Sequence, residues 1–370
     1  MLNKLKGNVR NMLGWSTNRR IIVIESDDWG SVRMPSHQAF QRLEAAGLDL
    51  ISRDAERYSR YDTLASESDL TNLYEVLSGC KDIHGRYCVL TPMSIMANPD
   101  FERIREEGFR SYHYELFTET LKKYKGCEHA FDLWQEGIRE RLFVPQLHGR
   151  EHLNVHAWMR ALQSGDQQTL LAFEEGVWSY IPAPDSFNPS GYLAAFELFE
   201  PQEIDYHKTV IQEATEIFHK LFNYGAEVFV PPNSKYNNGL NSTLLEHGIK
   251  FKDAARKQVE SLGEGRVRTV YNLRQKSRSG LWYLFRNAFF EPNQPGRDWV
   301  NSCMQEIDNA FRWNKPAIIS SHRTNFIGGL DVQNRDRSLK LLKDLILSAK
   351  KRWGDIEFMT SAELGNLMKN

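Results

Sequence analysis

Leu142-Phe143-Val144-Pro145-Gln146-Leu147-His148-Gly149-Arg150-Glu151-His152 is the stretch on which the fold of this chain turns. The apolar run 142–147 predicts a short buried strand. Where it ends, two imidazoles four residues apart can converge on one metal ion. Two distant runs repeat the pattern. Ile21-Ile22-Val23-Ile24-Glu25-Ser26 ends in Asp27-Asp28, and Pro316-Ala317-Ile318-Ile319-Ser320-Ser321 ends in His322. Strands that each end in metal-ligand or acid/base chemistry predict one active site at the carboxyl edge of a parallel β/α sheet or barrel.

Apolar or β-branched runs predict strands at 21–25, 87–91, 142–147, 226–231, 316–320 and 356–359, with further strands at 111–114, 249–253 and 267–272. Helical patterns lie between many of them, at 39–46, 99–107, 154–162, 206–224, 299–313 and 337–352. Asn98 is the expected N-cap of the second of these, with Pro99 in its first turn. This alternation predicts the α/β class with parallel strands, as an open sheet or a barrel. The weakest order is expected at 51–69, 181–191 and 273–280, which are polar or turn-rich. The basic stretch Arg274 to Gly280 reads as a solvated loop, with a clamp on an anionic ligand as the sharper alternative.

The chain has 370 residues, 41% hydrophobic and 26% charged, with a net charge of −1. Nothing in that balance points to nucleic acid or an anionic membrane. Nine Trp are expected mainly as core filling, although sugar clefts also use such rings. The cysteines at 80, 88, 127 and 303 form no C-x-x-C pair and read as reduced, buried small hydrophobes. No signal-length or membrane-spanning apolar run is present, so a cytoplasmic protein is expected; oligomeric state is not legible.

The chemistry follows from charge. A divalent cation that activates water takes a few protein ligands and keeps an open position. His148 and His152 supply imidazoles and Asp28 the carboxylate. Asp27 stays free as general base, and His322, on another strand, protonates a leaving group. Each piece alone also fits a bland role, as a solvated turn, a helix face or a structural histidine. Their joint placement after three strands favours function. His156 extends the histidine stripe, but eight helical residues rise about 12 Å, too far for one ion, so it reads as structural or supporting.

The order Ser26-Asp27-Asp28, His148 to His152, Val230-Pro231-Pro232-Asn233, Ser320-Ser321-His322 resembles the motif series of the polysaccharide deacetylase superfamily, metal-dependent carbohydrate esterases, over about residues 20 to 365. The wording from Pro145 to Asn154, with Asn98-Pro99-Asp100-Phe101, looks like a bacterial branch of it. The resemblance implies a distorted (β/α) barrel of about seven parallel strands in one domain over 1–370, with helical insertions near 35–80 and 165–205. It implies Asp27 as base, Asp28, His148 and His152 on a divalent metal, and His322 as acid. The metal is expected to be Zn2+, with Co2+ or Ni2+ able to substitute. The implied reaction is hydrolysis of a non-peptide C–N amide bond, N-deacetylation of an amino sugar or another N-acylated small molecule. A backbone N–H near Pro232 or Asn233 would hold the oxyanion.

Three departures stand out. Trp29-Gly30 follows Asp28, which would put a large ring at the site mouth. Val230 replaces the motif arginine, and Arg150 or Arg323 would replace its guanidinium. Asn233 stands where the family has an aromatic residue, and Tyr236 is a candidate cleft residue. Asp298-Trp299 echoes another family motif but reads as a helix start. Three other readings stay open: an H-x-x-E-H zinc peptidase with Glu151 as base, a cyclic amide hydrolase on the same fold, and a non-catalytic sugar-binding barrel.

Overall fold

A computed structural model describes residues 11–52, 54–184, 188 and 190–370. Its strands are β1 (Arg20–Trp29), β2 (Leu90–Ile95), β3 (Ala97–Pro99), β4 (Tyr114–Leu116), β5 (Gln146–Gly149), β6 (Val228–Phe229), β7 (Phe251–Asp253), β8 (Lys257–Gly263), β9 (Arg266–Tyr271), β10 (Trp282–Leu284), β11 (Ala288–Phe289), β12 (Ala317–His322) and β13 (Ile356–Phe358). The main sheet runs β10-β7-β6-β5-β2-β1-β12-β11, with β13 beside the start of β1. All its pairings are parallel. Helices between the strands, among them Glu67–Ser78, Glu203–Phe222, Trp299–Arg312 and Val332–Arg352, cover its outside. The sheet curls into an incomplete, distorted (β/α) barrel whose seam lies between β10 and β11.

Alternation along the strands sorts the two faces. Ile22 and Ile24 of β1, with Ala317 and Ile319 of β12, join the outer core under the helices. Ile21 and Val23, with Ile318, Phe251 and Leu284, form an inner core. The helix Ser361–Lys369 adds Leu364 and Met368 to that inner core and so plugs the barrel floor. Above the plug the inward positions turn polar: Glu25 and Asp27 on β1, Asp253 on β7, Ser320 and His322 on β12. The lower barrel is packed and the upper barrel is chemical because the inward ladder changes composition partway along each strand.

Several expected elements shift. The runs at 87–91 and 142–147 enter the sheet three to four residues late, as β2 and β5, and Phe143 makes only an isolated bridge to Leu90. The expected strands at 111–114 and 267–272 fall outside the barrel. They become β4, paired antiparallel with β3, and β9, in a hairpin with β8. Two barrel strands, β10 and β11, are too short at three and two residues to leave a periodic signature. Asn98 does not cap a helix. Asp100 does, and Asn98 instead clamps the loop after β1, accepting from Val32 N–H and donating to Gly30 O, both at 2.9 Å.

The segment 51–69, expected to be poorly ordered, carries the helix Ala55–Tyr61 and the start of Glu67–Ser78. The expected insertion near 35–80 therefore divides: 37–61 wraps the barrel rim, whereas 67–78 is a crossover helix between β1 and β2. Met34, Phe40 and Leu43 pack with Trp158, Phe173 and Trp178 in a separate core. A buried ion pair ties the rim to β12. Arg323 donates to Asp62 Oδ1 from Nε (3.0 Å) and Nη2 (2.7 Å), and both side chains are fully buried. Asp62→Asn leaves that guanidinium without its counter-charge. It is expected to lower unfolding free energy by about 3–5 kcal/mol, read by urea denaturation; a change under about 1 kcal/mol would show that the pair does not anchor the rim.

Candidate metal centre and active site

Adjacent residues on a strand face opposite sides, so Asp27 and Asp28 reach one cavity only if the strand is interrupted. It is. β1 pairs Ser26 with Pro92 but Trp29 with Ser94, one extra residue on β1. Asp28 sits in that bulge with φ +75°, a costly conformation for a residue with a Cβ. Both carboxylates line the cavity as a result. The same turn sends Trp29 the other way. Its indole lies 4.7 Å from the Phe143 ring, is 1% exposed and donates to Ser26 Oγ. Trp29 is therefore core and not a ring at the site mouth.

β5 repeats the device. Ser94 pairs with Leu147 but Ile95 with Gly149, which leaves His148 as the extra residue. The φ of +140° at Gly149 turns the chain so that His152 returns toward His148. Nε2 of each histidine lies 3.3 Å from Asp28 Oδ1. His148 Nδ1 donates to Val230 O at 2.7 Å, which leaves Nε2 as the atom that the neutral ring would offer a cation. Tetrahedral ligands at about 2.0 Å from Zn2+ are about 3.3 Å from one another, the separation of each imidazole Nε2 from Asp28 Oδ1. The three ligand atoms lie within 4.8 Å of one another, and the residues fit a divalent ion.

The electrostatics agree. Burial pushes His152 down to about 4, helped by Arg33, whose Nη2 is 3.4 Å away; neutral imidazole is the ligand form. Burial would raise Asp28. The Arg33 guanidinium, 3.1 Å from Oδ2, and the two histidines more than offset it and hold that carboxyl well below the usual range.

Asp27 is held by Arg286. Burial opposes ionisation, but Nη1 and Nη2 each donate at 2.6 Å, one to each carboxylate oxygen, and keep Asp27 below its ordinary pKa. Arg286 Nε also donates to Glu25 at 2.6 Å. This guanidinium comes from the seam between β10 and β11, and the sequence reading missed it. The only local signal was a basic residue ending the apolar run Leu281 to Phe285. Arg323 serves Asp62, as described above. Arg150 faces away from the cavity, where it pairs with Glu151 at 2.6 Å, with Glu213 and with the Tyr206 hydroxyl. Neither replaces the motif arginine.

His322 Nδ1 meets Glu291 Oε1 at 2.6 Å, and Glu291 is fixed in turn by Arg57 and Asn325. Burial would lower the His322 pKa, but Glu291 overcomes it and raises the imidazole above 6.5. Asn233 lines the cavity with φ +52°. Pro232 does not line it; its ring stands beside Gly149, where an added Cβ would lie 3.6 Å from Pro232 Cγ. Tyr236 is fully buried against Phe196 and Phe229, with Lys252 Nζ 4.0 Å from its ring, and is no cleft residue. His156 stacks on Tyr206 at 4.3 Å, in a structural role. Asp298 caps Trp299–Arg312, as its sequence suggested. The segment 274–280 stays off the cavity wall. The four cysteines are buried and unpaired.

The peptidase alternative fails on local structure. The helix starts at Val155, capped by Asn154, so His148 and His152 do not share a helix. Glu151 is 3% exposed and bound to Arg150 through both oxygens. It has no access to a water in the cavity.

The cavity holds about 700 Å3, within the range of small-ligand sites. Its walls add Arg33, Arg57, Tyr58, Asp253 and Arg256 to the residues legible in sequence. Among the described residues no helix is long and apolar enough to cross a membrane.

No protein-family model matches the chain, and no curated protein matches it. Among solved structures it is similar to a 4-alpha-glucanotransferase from Thermococcus litoralis, at 12% identity and a TM-score of 0.45; the match covers 93% of this chain but only 40% of that one. It is similar to Puue allantoinase at 10% identity, with 95% of this chain and 92% of that one covered and a TM-score of 0.46. It is also similar to the Bc1960 peptidoglycan N-acetylglucosamine deacetylase at 10% identity, with 95% and 91% covered and a TM-score of 0.36. Likenesses this distant carry no functional weight, and function has to be argued from the site.

Chelator-stripped protein titrated with Co2+ is expected to take up a single equivalent with visible absorption. His152→Ala and Asp28→Ala should each weaken uptake more than about a hundredfold, beyond the usual effect of losing an outer partner. Undiminished uptake in both variants would place the ion elsewhere.

Proposed function

We propose that the chain is a metal-dependent hydrolase of a non-peptide C–N amide bond, an N-deacetylase of acylated amino sugars of the polysaccharide deacetylase kind. The observation that carries this reading is the convergence of Asp28, His148 and His152, with their ligand atoms within 4.8 Å of one another, and of a guanidinium-held Asp27 and a glutamate-held His322 lining the same cavity.

A divalent cation held by Asp28, His148 and His152, Zn2+ by the donor set, supplies a Lewis acid that acidifies water and polarises an acyl oxygen. Asp27, kept ionised and oriented by Arg286, takes the proton of the attacking water. Of the two residues suggested for the oxyanion, only Asn233 carries an N–H, since Pro232 has none, and Asn233 lines the cavity. His322 delivers its proton to the departing nitrogen as the C–N bond breaks, so that amide plus water gives carboxylate and amine. Glu291 keeps that imidazole charged until the proton is needed.

Asp27→Asn is expected to lower acetate release from an acetamido-sugar panel by about 10²–10⁴-fold in kcat, whereas Glu151→Gln, off the cavity, should change it little. Loss in Glu151→Gln with Asp27→Asn little affected would return the peptidase assignment. The pH profile tests the acid. A raised His322 pKa keeps the acid form present above pH 6.5, and activity falls as pH passes that raised value. Glu291→Gln removes the charge that raises it, so the alkaline limb should move to lower pH by about one unit or more. An unmoved limb would assign it to a group other than His322.

A further inference from the structure

Four arginines line the cavity, and one of them, Arg256, has no carboxylate partner among the described residues. Arg33 is paired with Asp28 at 3.1 Å and Asp62 at 3.4 Å. Arg57 is paired with Glu291 at 2.5 Å and Asp54 at 3.0 Å. Arg286 is paired with Glu25 and Asp27. Arg256 makes no ion pair with a carboxylate among the described residues. Its Nη2 donates to Leu13 O at 2.6 Å and its Nη1 to Asn272 O at 3.2 Å. Its Nε–H is buried without an acceptor. Its Cζ stands over the Phe285 ring, 3.5 Å from the centroid, and the two carbonyls take only two of its five N–H groups.

The geometry points to an anion subsite at Arg256: resting on the hydrolase reading above, the substrate is an acylated amine that also carries a carboxylate or phosphate, bound by this guanidinium.

Three observations bear on it. A half-buried cation with only carbonyl partners costs solvation that the fold does not return. Burial alone accordingly depresses Arg256 to about 10. A planar oxyanion would supply the missing charge through paired N–H···O contacts, which a neutral sugar hydroxyl does less well. The location also suits a substituent of the reacting molecule. Arg256 follows Asp253 by three residues, at most about 11 Å of extended chain, and Asp253 is 3.9 Å from Arg286, the residue that holds the base. Phe285, the platform under Arg256, directly precedes Arg286. Base and subsite are thus presented by neighbouring residues on one cavity wall.

Calorimetry on the full chain with Zn2+ supplied tests this with neutral N-acetylglucosamine, N-acetylmuramic acid as the carboxylate and a phosphorylated N-acetylglucosamine as the phosphate. At least one anionic probe is expected to bind about tenfold or more tightly than the neutral one, as charge-assisted contacts give. Whichever anion wins identifies the source. Arg256→Gln should collapse that ratio to within about threefold, and Arg256→Lys, which keeps the charge but loses the fork, should fall between. Should the variants not fold, inorganic phosphate on the unaltered protein decides: it should compete with the anionic probe and leave the neutral one undisturbed. Equal affinity for neutral and anionic probes, an unchanged ratio in Arg256→Gln, no binding of either anion at millimolar concentration, or phosphate that displaces neither or both would each overturn the subsite. Acetate release is scored separately. Anion-selective binding without acetate release sinks the hydrolase reading and keeps the subsite, whereas acetate release without anion preference does the reverse.

Discussion

Two neighbouring carboxylates on a β-strand point to opposite faces, and this site depends on breaking that rule at Asp28. The extra residue in β1 and the left-handed backbone at Asp28 bring both acids to one side. A strand without the bulge would offer Asp27 to the cavity and leave Asp28 in the outer core, with no carboxylate between the histidines. The matching irregularity at His148 on β5, two strands away in the sheet, does the same for the imidazoles. The barrel supplies rigid walls; the bulges convert its regular alternation into convergence. The strain at Asp28 is held by neighbours that leave no slack: Asn98 clamps the following loop, and a Cβ at Gly30 would come within 2.4 Å of Ile95 O.

Guanidinium groups form the second layer of organisation. Arg286 spans Glu25 and Asp27 across the barrel seam, Arg33 spans Asp28 and Asp62, and Arg323 closes Asp62 from behind. Arg286 and Arg33 hold Asp27 and Asp28 below the ordinary carboxylate pKa, whereas at Asp62 burial outweighs both arginines and raises it; all three guanidinium groups limit their partners to one orientation. Such pairs add little net stability in a low-dielectric interior, because desolvation offsets their attraction. Their contribution is geometric: they fix the carboxylates of the candidate site in place.

The rim segment 37–61 shows how an insertion becomes part of a site. Ala55–Tyr61 brings Arg57 and Tyr58 to the cavity, and Arg57 reaches Glu291, which in turn orients His322. The Tyr58 ring lies between the Arg33 and Arg57 guanidinium groups, at 4.3 and 4.5 Å, and meets His322 edge-on at 5.7 Å. A polar, turn-rich stretch reads as loose in sequence because its anchors, Arg323 and Glu291, lie more than two hundred residues away.

Read alone, the sequence determined the parallel β/α class, the outer helices and the cluster of Asp28, His148 and His152 that could hold a metal. Strand ends in such folds share one edge, and imidazole and carboxylate announce their chemistry wherever they stand. It did not determine direction. Trp29, Tyr236 and Arg150 have the right composition for a cleft, yet a bulge, a packed core and a glutamate pair turn each of them away. Arg286 and Glu291 were invisible because they border strands of two and three residues, too short to carry a period, and because their partners are distant in the chain. Identity is local, but orientation and pairing are set by contacts between segments far apart in sequence, and only the folded chain has those.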